Sequence, residues 1–137
     1  MAAAPAAVDV AEQALLAEIN RARAKAGLAP LSVDSRLQAA ARAHTANLLV
    51  AGAFTHDFVE DGGPVGFSAW IRRFYAGSCT GENLASGSPS LSPAQAVQLW
   101  LASPGHRANM LSTRFTAIGV ALDGRNGSWV ATADFGC

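Results

Sequence analysis

The stretch AIGVALDGRNGSWVATADF, residues 117–135, determines the fold class that this sequence predicts. Apolar residues occupy every second position at 118, 120 and 122. They alternate again from Trp129 to Phe135, and the segment between the two runs, Asp123–Gly127, is a cluster of turn-forming residues. Alternation on both sides of a turn cluster indicates a β-hairpin with one buried face.

The beginning of the chain has the spacing of an amphipathic helix instead. Asp9 followed three residues later by Glu12 is a capping pair, which predicts a first helix that ends at Gly27. Residues 28–33 then form a linker that contains a proline. A second helix opens at Asp34, carries a stripe of buried residues and closes at Gly52.

The middle of the chain alternates between loops and short elements. We expect a glycine-rich loop over residues 54–66, a short helix over residues 67–76 and one short strand within residues 79–89. Ser92 followed by Pro93 is a strong start for a further helix, which ends before the next proline. Helices cannot bury their stripes against one hairpin alone, so the predicted class is α+β, with helices layered on a small antiparallel sheet.

The bulk composition points to one globular domain. The 137 residues suffice for a single domain over residues 9–137, and we expect residues 1–8 to be a disordered or residual segment. Lys plus Arg and Asp plus Glu number 10 each, so no basic excess attracts nucleic acid or an anionic membrane. No apolar run approaches ~20 residues, so we expect no transmembrane segment.

The two cysteines bear on the redox state of the compartment in which the protein works. An even count fits one disulfide between Cys79 and Cys137 in an oxidising environment, whereas two unrelated buried thiols are the alternative. We favour the disulfide because a terminal cysteine is poorly placed for burial unless something anchors it. The hypothesis that follows is a secreted or extracytoplasmic protein.

Three polar side chains lie in segments that resemble turns. His56 follows the second helix, Glu82 follows a glycine, and His106 follows a Pro-Gly pair. Loops held by a rigid scaffold are where functional side chains concentrate. If the fold brings the three together, they form a His/Glu/His site in a cleft, with Glu82 as the candidate catalytic group. Each also has a structural alternative, as a capping histidine, a carboxylate that accepts main-chain N–H bonds, or a residue that stiffens a loop.

Two further residues were weighed beside this set. His44 lies on the apolar stripe of the second helix, where a histidine is usually a hydrogen-bonded core residue, although it can belong to the same cavity. Arg107 is more often structural. Two imidazoles and a carboxylate suit a divalent cation such as zinc, and equally general acid–base chemistry. The spacing matches no compact metal motif, nucleophile elbow or phosphate loop.

These residues belong to a pattern that resembles the CAP superfamily of cysteine-rich secretory, antigen 5 and pathogenesis-related 1 proteins, also called the SCP domain, and in particular its short bacterial branch. The likeness runs from about Asp9 to Cys137. Its segments, in order, are Leu15-Leu16-Ala17-Glu18-Ile19-Asn20, Ala39 to His44, Phe54-Thr55-His56, Gly81-Glu82-Asn83-Leu84-Ala85, Trp100 to Leu111, Ile118-Gly119-Val120 and Trp129 to Gly136.

The resemblance implies a three-layer α-β-α sandwich with a cleft that carries two His and two Glu and that, in several members, binds a divalent cation. His56, Glu82 and His106 match three of these four positions. Ser103 stands at about the place of the fourth, an acidic residue after the tryptophan of the fourth helix. Asp57 or water is then a substitute donor. Asn83, next to Glu82, is a further secondary candidate for the site.

Three functions follow as hypotheses for a secreted monomer. The first is a binding module whose polar cleft can hold a divalent cation, zinc above all, together with a small-molecule, lipid or cell-envelope ligand. The second is a metal-assisted hydrolase acting on peptide or cell-envelope material. The third is a lipid or sterol carrier, as some members of the superfamily are, with an apolar tunnel near the glycine-rich loop.

Overall fold

The computed structural model describes residues 8–137, so the segment expected to be disordered lies, apart from Val8, outside the described residues. The helices are α1 (Val10–Lys25), α2 (Ser35–Ala51), α3 (Phe67–Trp70), α4 (Pro93–Ala102) and α5 (Pro104–Met110), and a 3₁₀ turn, Ile71–Arg73, continues α3. The strands are β1 (Ser32–Val33), β2 (Phe58–Glu60), β3 (Gly63–Val65), β4 (Thr80–Gly87), β5 (Ala117–Arg125) and β6 (Ser128–Gly136).

The predicted hairpin is the centre of the sheet. β5 and β6 pair antiparallel, and the chain reverses at Asn126 and Gly127, whose φ angles of 53° and 81° are those of a two-residue hairpin turn. The strand order is β1-β5-β6-β4, which makes β4 an edge strand. The prediction of an antiparallel sheet is wrong at the other edge, where β1 pairs parallel with β5 through Ser32 and Val33. Two residues are too few to carry a strand periodicity.

Successive side chains along β4, β5 and β6 point to opposite faces of the sheet, and each face packs against its own layer of helices. The apolar alternating residues of the hairpin, such as Ile118, Val120 and Phe135, pack with α1, α4 and α5 around Trp100 and Met110. The opposite face of the sheet packs against α2, together with α3 and the 3₁₀ turn. This arrangement confirms the predicted three-layer α-β-α sandwich.

The second helix approaches the sheet very closely. A Cβ atom at Gly119 of β5 would overlap the main chain of α2 at Leu37, so only glycine fits there. The buried Gln38 side chain donates to the Val120 carbonyl at 2.6 Å and accepts from the Val120 N–H at 2.8 Å. These contacts fix the position of α2, and therefore of every side chain that α2 directs at the sheet.

Local signals set most helix ends as the sequence predicts. Asp9 with Glu12, and Ser92 with Gln95, form reciprocal capping boxes at the starts of α1 and α4. Gly52 ends α2 in the left-handed conformation, with φ 63°.

Two loop predictions and one helix prediction need correction. The expected loop 54–66 contains the β2–β3 hairpin, the expected helix 67–76 ends as helical structure at Arg73, and the segment around His106 is the helix α5.

The two cysteines form the expected disulfide, which joins Cys79, immediately before β4, to Cys137, immediately after β6. Next to it, the main-chain N–H of Cys137 donates to the carbonyl of Cys79 at 3.1 Å. The pairing of β4 and β6 is thereby closed at one end. Within residues 8–137, no helix has both the length and the hydropathy needed to cross a bilayer.

Candidate functional site

Glu82 is the centre of the candidate site, and it lies on β4, the strand expected within residues 79–89, so the segment that resembled a turn is extended. It occupies β4 directly opposite Asp134 of β6, and strand alternation directs both side chains at α2. Glu82 is only 6% exposed and Asp134 is fully buried. A buried carboxyl group needs partners, and those of Glu82 come from two different elements.

His44 supplies the first partner of Glu82. It points from the middle of α2 into the interior, where it is fully buried. Its Nδ1 lies 2.8 Å from Glu82 Oε2, and its Nε2 lies 2.8 Å from the main-chain oxygen of Asp57. The Trp70 ring packs against the imidazole, with 4.6 Å between ring centroids. His44 is therefore a buried anchor of the site.

The partners of His44 also assign its tautomer and the proton on Glu82. A carbonyl oxygen can only accept, so His44 Nε2 carries the hydrogen and donates it to Asp57. Burial lowers the pKa of His44, which keeps the ring neutral and leaves Nδ1 as an acceptor. Glu82 Oε2 must then carry a proton and donate it to Nδ1. Burial raises the pKa of Glu82 to about 8, which is consistent with a protonated carboxyl at neutral pH.

His56 is the second partner of Glu82, and it faces solvent. Its Nδ1 lies 2.9 Å from Glu82 Oε1, while its side chain is 52% exposed. Because Glu82 is protonated on the other oxygen, Oε1 accepts and His56 Nδ1–H donates, so Nε2 is the nitrogen that has the lone pair in the neutral form of the ring. The main-chain oxygen of His56 accepts from Trp70 Nε1 at 2.8 Å, which holds the loop in place.

His106 approaches from the opposite helical layer, on α5. The Nδ2 of the buried Asn83 donates to the His106 carbonyl at 2.9 Å. Asn109 links the same helix to β4, donating to Asn83 Oδ1 at 3.0 Å and to the Glu82 carbonyl at 3.4 Å. Burial lowers the pKa of His106, and so does the positive charge that His56 carries when it is protonated. The two imidazoles therefore lie within the range of electrostatic interaction.

The remaining secondary candidates contribute no side-chain contact to this cluster or lie on another surface. Asp57 contributes its main-chain carbonyl to His44. Ser103 joins α4 to α5, and its side chain does not cap α5. Arg107 is exposed and lines a depression with α1 residues such as Ala22 and Lys25, so it belongs to a different surface.

Asp134 is the residue of this cluster that the sequence analysis did not find. Within the described part of the chain, neither of its carboxyl oxygens has a hydrogen-bond partner. Burial, and then the neighbouring Glu82 carboxyl, raise its pKa well above the usual range. The only sequence signal is a polar residue on the hairpin face opposite the apolar alternation, and such a residue normally faces water.

Whether a metal ion fits this cluster depends on the side-chain atoms that are not already engaged in hydrogen bonds. Among residues 8–137, no three His, Cys, Asp or Glu side chains are arranged to hold an ion. Both Glu82 oxygens are engaged by His44 and His56. His56 Nε2, the ring nitrogen that Glu82 does not contact, and His106 are the donors left for a site of two imidazoles, in which water or a ligand would supply the others. Glu82 would then orient His56, as carboxylates commonly do behind a metal-bound histidine.

A separate cavity lies away from this cluster. It has a volume of about 500 Å³ and lies between the end of α2 and the β5–β6 turn, lined by residues that include Phe54, Ser86 and Trp129. Phe58 and Phe67, near the glycine-rich loop, could line an apolar tunnel or simply pack the loop, and in the structure they pack against the Trp70 cluster.

Comparison with known proteins agrees with this geometry. Residues 16–135 match the sequence profile of the CAP, or cysteine-rich secretory protein, family. The protein YkwD of Bacillus subtilis (strain 168) is 32% identical over 126 residues, which cover 92% of this chain and 48% of YkwD. The chain thus spans about half the length of this relative.

Two solved structures have the same fold. An SCP-domain extracellular protein of Bacillus anthracis str. Ames has a TM-score of 0.75 at 26% identity, over 90% of this chain and 39% of the other. An outer surface protein of Borrelia burgdorferi has a TM-score of 0.79 at 26% identity, over 94% of this chain and 95% of the other. The family profile, the bacterial relative and the shared sandwich together establish that this chain belongs to the CAP family, in its bacterial branch.

Proposed function

We propose that this chain is an extracytoplasmic binding module whose polar cleft holds a ligand between His56 and His106 and can take a divalent cation there. The observation that carries the proposal is the contact of Glu82 Oε1 with His56 Nδ1 at 2.9 Å. It fixes an exposed imidazole from behind, so that Nε2 is the ring nitrogen left to bind a ligand. His106, fixed to β4 through Asn83, supplies the second donor.

Zinc is the cation that suits two imidazoles and oxygen donors best. An ion held by two protein ligands keeps open positions, in which it can polarise a bound ligand oxygen. With only two ligands from the chain, we expect weaker binding than at a zinc site with three or four protein ligands. The disulfide and the descriptions of the similar proteins as extracellular or outer-surface support the extracytoplasmic assignment.

The test is a zinc titration followed by thermal melting of wild type, His56→Ala and His106→Ala. At about ten times Kd, a bound ion stabilises the wild type by about 1.4 kcal/mol, a rise in Tm of roughly 4 °C. Each variant is compared with its own zinc-free melt, and both should lose the rise. Arg107→Ala is the matched control, because Arg107 shares α5 with His106 but faces α1. An equal rise in all four proteins would refute the shared site.

A metal-assisted hydrolase acting on peptide or cell-envelope material is the second candidate. The specific observation in its favour is the same pair, since a buried carboxyl hydrogen-bonded to an exposed imidazole orients that imidazole as a general base. Glu82 is too buried to touch a substrate, so it would act through His56. Hydrolysis of casein or peptidoglycan fragments that His56→Ala abolishes would favour this candidate over the binding module.

A further inference from the structure

The end of β4 has the features of a peptide-binding edge. As an edge strand, β4 has β6 on one side only. The main-chain carbonyl of Cys79 points towards β6, because it accepts a hydrogen bond from the N–H of Cys137. The main-chain carbonyl of Glu82 points away from β6 and accepts a hydrogen bond from the side chain of Asn109. Main-chain groups alternate in direction along a strand, so those of Glu82, Leu84 and Ser86 all point away from β6.

Ser86 is the accessible point on this edge. Leu84 is only 5% exposed, but Ser86 is exposed. Within residues 8–137, no hydrogen bond satisfies its outward N–H and C=O groups. A free donor and acceptor on one residue of an edge strand match the main chain of an extended peptide.

Two cavities flank Ser86, one on each face of the sheet. The cavity of about 500 Å³ lies on the α2 side, and a second of about 390 Å³ lies on the α4 side. Both are lined by Ser86, Gly87 and Ser88. The strand end is therefore a ridge between two hollows.

Each cavity contains an exposed large apolar side chain. Phe54 is 54% exposed in the first cavity, and Leu99 is 52% exposed in the second. Apolar side chains left in solvent beside a cavity commonly mark a binding surface. Among the described residues that line either cavity, Arg125 is the one with a charge, and it lies at the rim of the first.

We infer that the β4 edge at Ser86 binds an extended peptide segment of a partner protein, with neighbouring apolar side chains directed alternately into the two cavities and an acidic group near Arg125. A residue paired with Ser86 directs its side chain to the α2 face, and the residues on either side of it direct theirs to the α4 face. The two-sided arrangement and the free main-chain groups select a peptide over an acyl chain, which has no hydrogen bonds to offer Ser86.

This surface is separate from the His56 and His106 cleft. Ser86 is four residues along the strand from Glu82, about 13 Å at the usual rise. A peptide at the edge and an ion in the cleft can therefore be tested independently.

The experiment is selection from a random linear heptapeptide phage library on the immobilised full chain, with counter-selection on the Phe54→Ser, Leu99→Ser double variant. We expect convergent sequences with at least two adjacent apolar residues. Synthetic copies should bind at least tenfold more weakly to Ser86→Pro. Proline removes only the outward N–H and leaves the bonds to β6 in place. His56→Ala should bind the peptides as wild type does, and Ser86→Pro should keep the zinc response.

Two N-methylated versions of a selected peptide test whether it pairs with β4 as a strand. One version is methylated on the odd-numbered residues and the other on the even-numbered residues, so each loses the N–H groups of one edge. One version should lose binding and the other keep it, because only one edge of the peptide faces β4. Loss in both versions, equal binding to Ser86→Pro, or no convergent sequences would overturn the proposal. Dodecanoate is titrated in parallel by calorimetry. If it binds in a manner that Phe54→Ser weakens and no peptide binds, the cavities take acyl chains and the inference is wrong.

Discussion

Replacement of Glu82 by glutamine tests the protonation of the candidate site. A glutamine amide has the shape of the protonated carboxyl: its NH₂ can donate to His44 Nδ1 and its oxygen can accept from His56 Nδ1–H. The variant should therefore fold with the same contacts, but it cannot ionise. Any difference between the two proteins that depends on pH then reports the ionisation of this cluster.

The expected magnitude follows from the two states of Glu82. Its pKa is about 8 in the folded protein, against 4.5 for an ordinary glutamate. The folded state therefore holds the proton more tightly, and the stability it contributes is fully present below pH 4.5 and is lost as the pH rises to about 8. Each tenfold difference in proton affinity is worth about 1.4 kcal/mol, so the loss reaches up to about 5 kcal/mol.

The assay is urea unfolding of wild type and Glu82→Gln, followed by tryptophan fluorescence, at intervals between about pH 4.5 and pH 8.5. The free energy of unfolding of the variant minus that of the wild type should grow with pH across this window. Taking the difference reduces the contributions that both proteins share, those of His44, whose pKa is lowered by burial, and of Asp134, whose pKa is raised by burial. Glu60→Gln, at an exposed position, is the matched control and should give no such trend. Parallel curves for Glu82→Gln and wild type would refute the assignment of the proton to Glu82.

Three further predictions concern the scaffold. Arg23→Ala should cost about 3 kcal/mol in urea unfolding, because the buried guanidinium donates to three main-chain carbonyls; a cost under about 1 kcal/mol would contradict this. Thiol counting on the denatured, non-reduced protein should find none, and replacing Cys79 and Cys137 by serine should cost about 4 kcal/mol for the 58-residue separation. Gly119→Ala should cost at least ~2 kcal/mol by overlap with the α2 main chain, whereas Gly62→Ala, which has free space, should change stability little.

Features encoded within a few residues were predicted correctly. The β5–β6 hairpin follows from period-two alternation around Asn126 and Gly127, the capping box of α1 follows from Asp9 and Glu12, and the start of α4 follows from Ser92 and Pro93. These signals act locally, so a short window contains all the information. The disulfide was also predictable, because Cys79 has only one other cysteine to pair with.

The errors arise where a local signal has two meanings. Pro104 ends α4, but a proline also fits the first turn of the next helix, so the segment read as a turn around His106 is α5. Gly81 suggested a turn, yet it lies within β4, where a Cβ would press against the Phe115 ring. β1 was read as a linker because two residues that pair with a distant strand have no pattern of their own.

The candidate site shows the same division. Sequence alone, with its resemblance to a known family, singled out His56, Glu82 and His106, and His44 as a neighbour in the core. It could not show that Glu82 joins two histidines, because those contacts span 38 and 26 residues. Asp134 carried no usable signal, because its burial depends on α2 covering that face of the hairpin.

The amino-acid sequence by itself determined the β5–β6 hairpin, the starts of α1, α2 and α4, the fold class and the disulfide, because periodicity, capping and turn chemistry operate between neighbours along the chain. The tertiary structure alone decided which polar groups are deprived of water and which face each other. Burial and proximity set the protonation of Glu82 and the orientation of His56, and both arise only when α2, β4 and β6 pack together.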